Sequence, residues 1–165
     1  MEIMPLLSKE LEQEANITRK FLRLVPLDKS DWKPHEKSMS METLAVHIAT
    51  LPSWIDLALN SAGIDFATTP YKPPTINTSD DLLKIFEDSL SKGKQALANN
   101  KDEVLDQKWT LRNGDQVLAE MTKYESARHS FSQTIHHRAQ LGVYLRLLNI
   151  PVPGSYGPSA DDPGM

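Results

Sequence analysis

The sequence contains no cysteine among its 165 residues. Disulfide bonds, thiolate metal ligands and a cysteine nucleophile are therefore excluded. A chain of this length can bury a real hydrophobic core without such cross-links, and no internal repeat or linker divides it. We predict a single domain over residues 1–165, in which any chemistry must come from histidine, carboxylates, hydroxyls or a bound metal ion.

Positive charge is also in short supply. The chain has 18 Lys and Arg residues against 22 Asp and Glu residues, which gives a net charge of −4. The basic residues are scattered, whereas nucleic-acid binding requires a basic face or stripe. We therefore expect no nucleic-acid partner.

Long hydrophobic runs are absent as well. The longest uncharged stretch, residues 43–55, is too short to span a bilayer and contains Pro52. The N-terminus carries Glu2 and lacks a basic segment followed by an apolar core, so it does not resemble a signal peptide. We expect a soluble, cytoplasmic protein with no membrane partner.

Apolar residues recur at helical spacing in four segments, and this period predicts amphipathic helices. We predict an all-α fold, a four-helix bundle with long connections, and an irregular tail over residues 149–165. In the second segment, Pro52 predicts a kink one turn after His47, and Gly63 is suited to the C-terminal cap. The predicted helices cover about residues 5–24, 41–62, 79–99 and 122–148.

One short segment does not follow the helical pattern. Between residues 108 and 118, Asn113-Gly114 is flanked by residues that favour strands. An Asn-Gly pair in this context is typical of a tight hairpin turn. We therefore expect a small hairpin or an extended segment there.

The fourth predicted helix carries the densest group of chemically active side chains. His129, Gln133, His136 and His137 fall within about a quarter-turn of its surface. Side chains four residues apart can bind one ion, and the best pairs are Gln133 with His137 and His129 with Gln133. The alternative is a solvated polar stripe, because most of the large apolar residues of this helix lie on its other faces.

On the second helix, His47 lies on the apolar stripe that must face the bundle interior. A buried imidazole requires a partner for at least one nitrogen. His47 is therefore either a core histidine bonded to a carbonyl or carboxylate, or the partner of the fourth helix in a divalent-metal pocket.

Three further residues are candidates for catalysis. Glu14 intrudes on the apolar side of the first helix and could act as an acid or base, or orient His47. Arg138 could bind an anionic group through two hydrogen bonds, and His136 could act as a base. Each also has an ordinary interpretation, as a wet helix-edge residue or as part of a surface salt bridge.

The amino-acid sequences of several segments resemble those of a known family. Residues 31–39 (DWKPHEKSM), 44–49 (LAVHIA) and 136–141 (HHRAQL), followed by YLR at 144–146 and PVP at 151–153, resemble the DinB-like (damage-inducible) superfamily. The match spans nearly the whole chain in the same order. The block of two histidines, an arginine and a glutamine is its most specific part.

This resemblance implies a four-helix bundle, often a homodimer, that holds zinc or nickel through three histidines. Members with assigned activities transfer or isomerise low-molecular-weight thiols. One ligand of the pattern lies on helix two, and two lie four apart on helix four, the second directly before the arginine. The matching positions here are His47, Gln133 and His137.

Glutamine therefore stands where the pattern has its second histidine. An amide oxygen is a weak, neutral ligand for Zn²⁺ or Ni²⁺, so this change should lower the affinity for the metal. His129 or His136 could substitute, or the metal could be lost. Two interpretations follow: a metal-dependent enzyme of the thiol transferase or hydrolase class, or a non-catalytic bundle that serves small-molecule binding, dimerisation or a stress-related interaction.

Overall fold

A computed structural model of the protein describes residues 2–69 and 72–163. Residues 70–71, in one of the predicted long connections, and residues 164–165 of the predicted tail lie outside the described residues. Four long helical units form the bundle, and the second unit is divided into two helices. The helices are α1 (Ile3–Leu22), α2 (Met41–Thr50), α3 (Trp54–Asn60), α4 (Ser79–Asn99) and α5 (Lys123–Leu147).

The prediction of an all-α fold is wrong, because the bundle carries a three-stranded mixed sheet. Its strands are β1 (Gly63–Asp65), β2 (Lys108–Asn113) and β3 (Gln116–Thr122). Strands β2 and β3 form the expected hairpin around Gly114, where φ is 59°. Strand β1 pairs parallel to β2, in a contact between residues nearly 50 positions apart that local sequence patterns do not reveal.

Gly63 differs from its predicted role as a helix cap. It begins β1, and its φ is 155°. A Cβ atom at this position would lie 2.0 Å from the carbonyl oxygen of Thr110. Glycine is therefore required by the close approach of β1 to β2 rather than by the end of α3.

Local capping explains where two of the long helices begin. Thr78 accepts a hydrogen bond from the amide of Asp81, whose carboxylate accepts one from the amide of Thr78. Thr122 and Glu125 form the same reciprocal capping box at the start of α5. Each box satisfies amides that have no partner within the helix.

The predicted kink after His47 is present. A short 3₁₀ turn, Leu51–Ser53, separates α2 from α3 around Pro52. Serines from two other helices bind the carbonyl groups exposed there: Ser89 Oγ donates to the Thr50 carbonyl at 2.9 Å, and Ser130 Oγ donates to the Leu51 carbonyl at 2.7 Å. These bonds fix the bend against α4 and α5.

The core lies between the helices, and α2 is buried along most of its length. Its fully buried residues Leu44 and Ile48 flank His47, as the apolar stripe predicted, and His47 itself is half-buried. Within the described residues, no helix is both long enough and apolar enough to cross a membrane.

Candidate functional site

The structure brings His47, Gln133 and His137 together between α2 and α5. The imidazole rings of His47 and His137 have centroids 4.5 Å apart and planes at 83°. Oε1 of Gln133 lies 2.8 Å from Nε2 of His137, and the Gln133 side chain also hydrogen-bonds to His47. Two imidazoles and one amide, from helices that are distant in sequence, thus converge on one point.

A second glutamine fixes the orientation of His137. Nδ1 of His137 lies 3.0 Å from Oε1 of Gln140, and Nε2 of Gln140 lies 3.0 Å from Nε2 of His136. The amide of Gln140 donates to His136, so its oxygen accepts the Nδ1 proton of His137. A neutral His137 then presents the lone pair of Nε2 to Gln133.

Both central histidines favour the neutral form. Burial lowers the pKa of His47, His137 lowers it further, and the hydrogen bond with Gln133 opposes both effects. Burial also lowers the pKa of His137, while its bond to Gln140 raises it and the neighbouring His136 lowers it. Neutral imidazoles are the form in which histidine binds metal ions.

The Gln133 contact tests whether a cation fits this cluster. When Gln140 holds the Nδ1 proton, Nε2 of His137 and Oε1 of Gln133 are two acceptors only 2.8 Å apart. Two acceptors at this distance are stable when a cation lies near both atoms. They are also stable when the Gln133 amide rotates so that its N–H groups face Nε2 of His137. The donor set of two imidazole nitrogens and an amide oxygen fits a divalent ion, but more weakly than three imidazoles would.

A metal ion held in this cluster would have the Gln133 amide as its third donor, because no stronger ligand among the described residues completes the cluster. Among the described residues, no group of three or more His, Cys, Asp or Glu side chains could hold a metal ion. His129, an alternative ligand in the sequence analysis, stacks on Trp54 with ring centroids 6.5 Å apart. Trp54 in turn stands edge-on to His47 at 5.7 Å. His129 therefore packs on the indole that borders His47.

Glu14 and Arg138, two of the candidate catalytic residues, are paired with each other. Nη1 of Arg138 lies 2.7 Å from Oε2 of Glu14, and their side chains are only 3% and 9% exposed. Arg138 also donates to Thr18 Oγ1 at 2.9 Å. Because both charges are already satisfied by buried partners, this geometry favours a structural role for the pair.

Sequence reasoning missed Tyr156, which completes this ion pair. Its hydroxyl lies 2.8 Å from both carboxylate oxygens of Glu14 and 2.6 Å from Nη2 of Arg138. The residue belongs to the C-terminal tail, which was expected only to be irregular. A lone tyrosine between Ser155 and Gly157 carries no local signal of such a contact.

A groove of about 370 Å³ opens beside His137. One wall is α5, which contributes His137 and Gln140, and the other is the loop before α2, which contributes residues 37–39. Tyr144 holds this loop in place, because its hydroxyl donates to the Met39 carbonyl at 3.1 Å. Its ring also packs edge-on against Trp32, with centroids 5.5 Å apart.

The fold and the cluster together define the class of protein. It is a four-helix bundle with a bent second helix, in which histidines of the second and last helices meet and His137 of the last helix lines a groove. A family model, the DinB family, matches residues 4–164. The chain therefore belongs to the DinB family, which confirms the resemblance drawn from the sequence segments.

Solved structures agree on the fold. A DinB-like protein from Bacillus subtilis is 20% identical with a TM-score of 0.67, and the match covers 87% of this chain and 92% of that one. A DinB-like protein from Bacillus cereus is 18% identical with a TM-score of 0.68, covering 90% and 94%. A candidate DinB-family member from Exiguobacterium sibiricum is 22% identical with a TM-score of 0.61, covering 88% and 91%. No match to a curated protein was found.

Proposed function

We propose that this DinB-family protein is a metal-dependent enzyme whose His47, Gln133 and His137 form a low-affinity site for Zn²⁺ or Ni²⁺. The observation that carries the proposal is the convergence of these donors: Gln133 contacts both imidazoles, and Gln140 orients His137 so that Nε2 faces the cluster. A carbonyl or carboxylate that accepts the outer proton of a metal-bound histidine is a common partner in metal sites.

The chemistry supplied by the ion would be that of a Lewis acid, which lowers the pKa of a bound water or thiol toward neutrality. The protein's own residues would bind and orient the substrate. His137 and Gln140 line the groove, so a ligand held there lies directly beside the cluster. Thiol transfer or hydrolysis is the reaction class that the family resemblance implies.

His136 is the candidate base in this arrangement. Its ring is exposed and lies 4.8 Å from that of His137, and Gln140 bonds to its Nε2. It can therefore exchange protons with solvent while it remains connected to His137 through one amide. Glu14 and Arg138 are left out of the proposed mechanism because they neutralise each other.

The proposal is tested by calorimetric titration of the EDTA-treated protein with Zn²⁺ and Ni²⁺. We expect one weak site per chain in the wild type and no binding in His47→Ala. Gln133→His should bind more tightly by roughly tenfold or more, since even changes in the partners of metal ligands alter affinity by roughly 10–100-fold. His129→Ala is the matched control and should bind as the wild type does.

The same titration separates the competing interpretation, a bundle that has lost its metal. If the wild type binds neither ion and only Gln133→His gains a site, the enzyme proposal fails. In that case the amide of Gln133 bridges the two histidines by hydrogen bonds alone. Equal loss of binding in His129→Ala and His47→Ala would show that the site depends on His129 and would contradict the proposed set of His47, Gln133 and His137.

A further inference from the structure

The groove beside His137 has an uneven distribution of charge. Among the residues that the structure describes, its lining includes one cationic side chain, Lys37, and no acidic one. Lys37 takes part in none of the ion pairs formed by the described residues. This differs from the protein as a whole, which is acidic with a net charge of −4.

The loop that carries Lys37 is held in position by contacts at both ends. The Met41 amide donates to the Trp32 carbonyl at 2.8 Å, and the Glu42 amide donates to the Ser30 carbonyl at 3.0 Å. Together with the Tyr144 bond to Met39, these contacts within the protein hold the loop against α5. Because the loop is held by the protein's own hydrogen bonds, little conformational entropy is lost when a ligand binds there.

The remaining lining of the groove is of mixed character. Ser38 and Gln140 offer polar groups near Lys37, whereas Met39, Val143 and the ring of Tyr144 offer apolar surface. Val143 is 58% exposed although it is aliphatic. A ligand that fits this surface has a short apolar body and a polar end that carries negative charge.

We infer that the groove formed by residues 37–39 and α5 binds a small monocarboxylate, with Lys37 as the residue that selects for the negative charge. A single lysine supplies one point charge, which matches one carboxylate. A phosphate group usually recruits several donors, such as arginine side chains or a helix N-terminus. Among the described residues, none of these lines the groove. The inference rests on the proposed function, since it names the substrate class for the same site.

The experiment compares hexanoate with hexanamide, which have the same apolar body but differ in charge. Two-dimensional NMR titrations of the isotope-labelled, EDTA-treated protein would follow the amide signals of Ser38, Gln140 and Val143. We expect hexanoate to shift these signals and to bind roughly tenfold more tightly than hexanamide, because charge-assisted hydrogen bonds are stronger than neutral ones. Added salt should weaken the binding of hexanoate more than that of hexanamide.

Variants of two lysines in the same loop provide the matched control. Lys37→Met should reduce the affinity for hexanoate to that for hexanamide, and Lys37→Arg should retain most of the preference for the acid. Lys33 donates to the Glu36 carbonyl and does not line the groove, so Lys33→Met should leave the preference unchanged. Both lysines are exposed to solvent, so the three substitutions should not affect folding.

Two results would overturn the inference: equal affinity for acid and amide, or shifts confined to another part of the surface. The metal-free protein keeps this test separate from the metal proposal. Selective hexanoate binding to a protein that binds no Zn²⁺ would retain the carboxylate site and reject the metal centre. The opposite result is a protein that binds Zn²⁺ but shows no preference for hexanoate, either metal-free or loaded with Zn²⁺. That result would retain the metal centre and reject the carboxylate site.

Discussion

Arg138 and Glu14, which lie 124 residues apart, form an ion pair inside the bundle, with Nη1 and Oε2 at 2.7 Å. The pair joins α5 to α1 next to the candidate site, because Arg138 directly follows His137 in the sequence. Tyr156 from the tail binds both partners. The family block at residues 136–141 therefore contains His137, which belongs to the candidate site, and Arg138, which anchors α5 to α1.

Breaking this pair should destabilise the protein strongly. Arg138→Met leaves the Glu14 carboxylate buried without its cation, and such a change typically costs about 3–5 kcal/mol. The double variant Glu14→Gln/Arg138→Met should be less destabilised than the single one. Urea unfolding measures the free energy of unfolding of both variants.

The control is Arg19→Met, which removes the more exposed pair with Glu87 and should cost less than about 1 kcal/mol. Equal losses of stability in Arg138→Met and Arg19→Met would contradict the expectation.

Tyr156 should ionise above the usual range for tyrosine. Burial raises the pKa of its hydroxyl, and the hydrogen bond to Glu14 raises it further. A pKa that is higher in the folded state means that the stabilisation is complete below the unfolded pKa of about 10 and is lost as the pH rises through the folded value. Ultraviolet titration of tyrosinate should show a late step that is missing in Tyr156→Phe and present in Tyr124→Phe. A late step that survives in Tyr156→Phe would refute this assignment.

The bend after His47 should depend on Ser130. Its hydroxyl donates to the Leu51 carbonyl at 2.7 Å, and Ser130→Ala leaves that carbonyl bonded to the Trp54 amide alone. We expect a loss of about 0.5–1.5 kcal/mol in urea unfolding, together with a shift of the His47 ring signals in NMR spectra. Ser132→Ala, at an exposed position of the same helix, should change neither quantity. Similar effects of the two substitutions would argue against the role of Ser130.

Asp102 should make the start of α1 sensitive to acid. Its carboxylate accepts hydrogen bonds from the amides of Ile3 at 2.6 Å and Met4 at 2.9 Å, and these bonds lower its pKa. A pKa that is lower in the folded state means that the stabilisation is present above the unfolded value and is lost as the pH falls through the folded value. The protection factor of the Met4 amide, which is its hydrogen-exchange rate corrected for the intrinsic pH dependence, should therefore fall in acid.

Asp102→Asn tests this cap, and Asp106→Asn is an exposed control a few residues further on. The first variant should show fast exchange at Met4 at neutral pH as well, because the neutral amide accepts hydrogen bonds less strongly than a carboxylate. The second should exchange as the wild type does. Protection of Met4 that persists in Asp102→Asn would mean that another group holds the helix terminus.

The sequence by itself determined the helices and the membership of the family. Helical spacing of apolar residues, Pro52 and the caps at Thr78 and Thr122 act over a few residues, so they can be read locally. The same holds for the hairpin around Gly114. His47 could be assigned to the bundle interior because its neighbours Leu44 and Ile48 share the apolar face.

Only the tertiary structure decided which groups meet. The pairing of β1 with β2, which overturns the all-α prediction, joins segments whose register depends on the packing of α4, the helix between them. The partners of Glu14, the binding of Asp102 to α1 and the position of Tyr156 are set in the same way. Side chains remote in sequence become neighbours when burial of the core fixes the helices, and hydrogen bonds then select among the polar groups brought within reach.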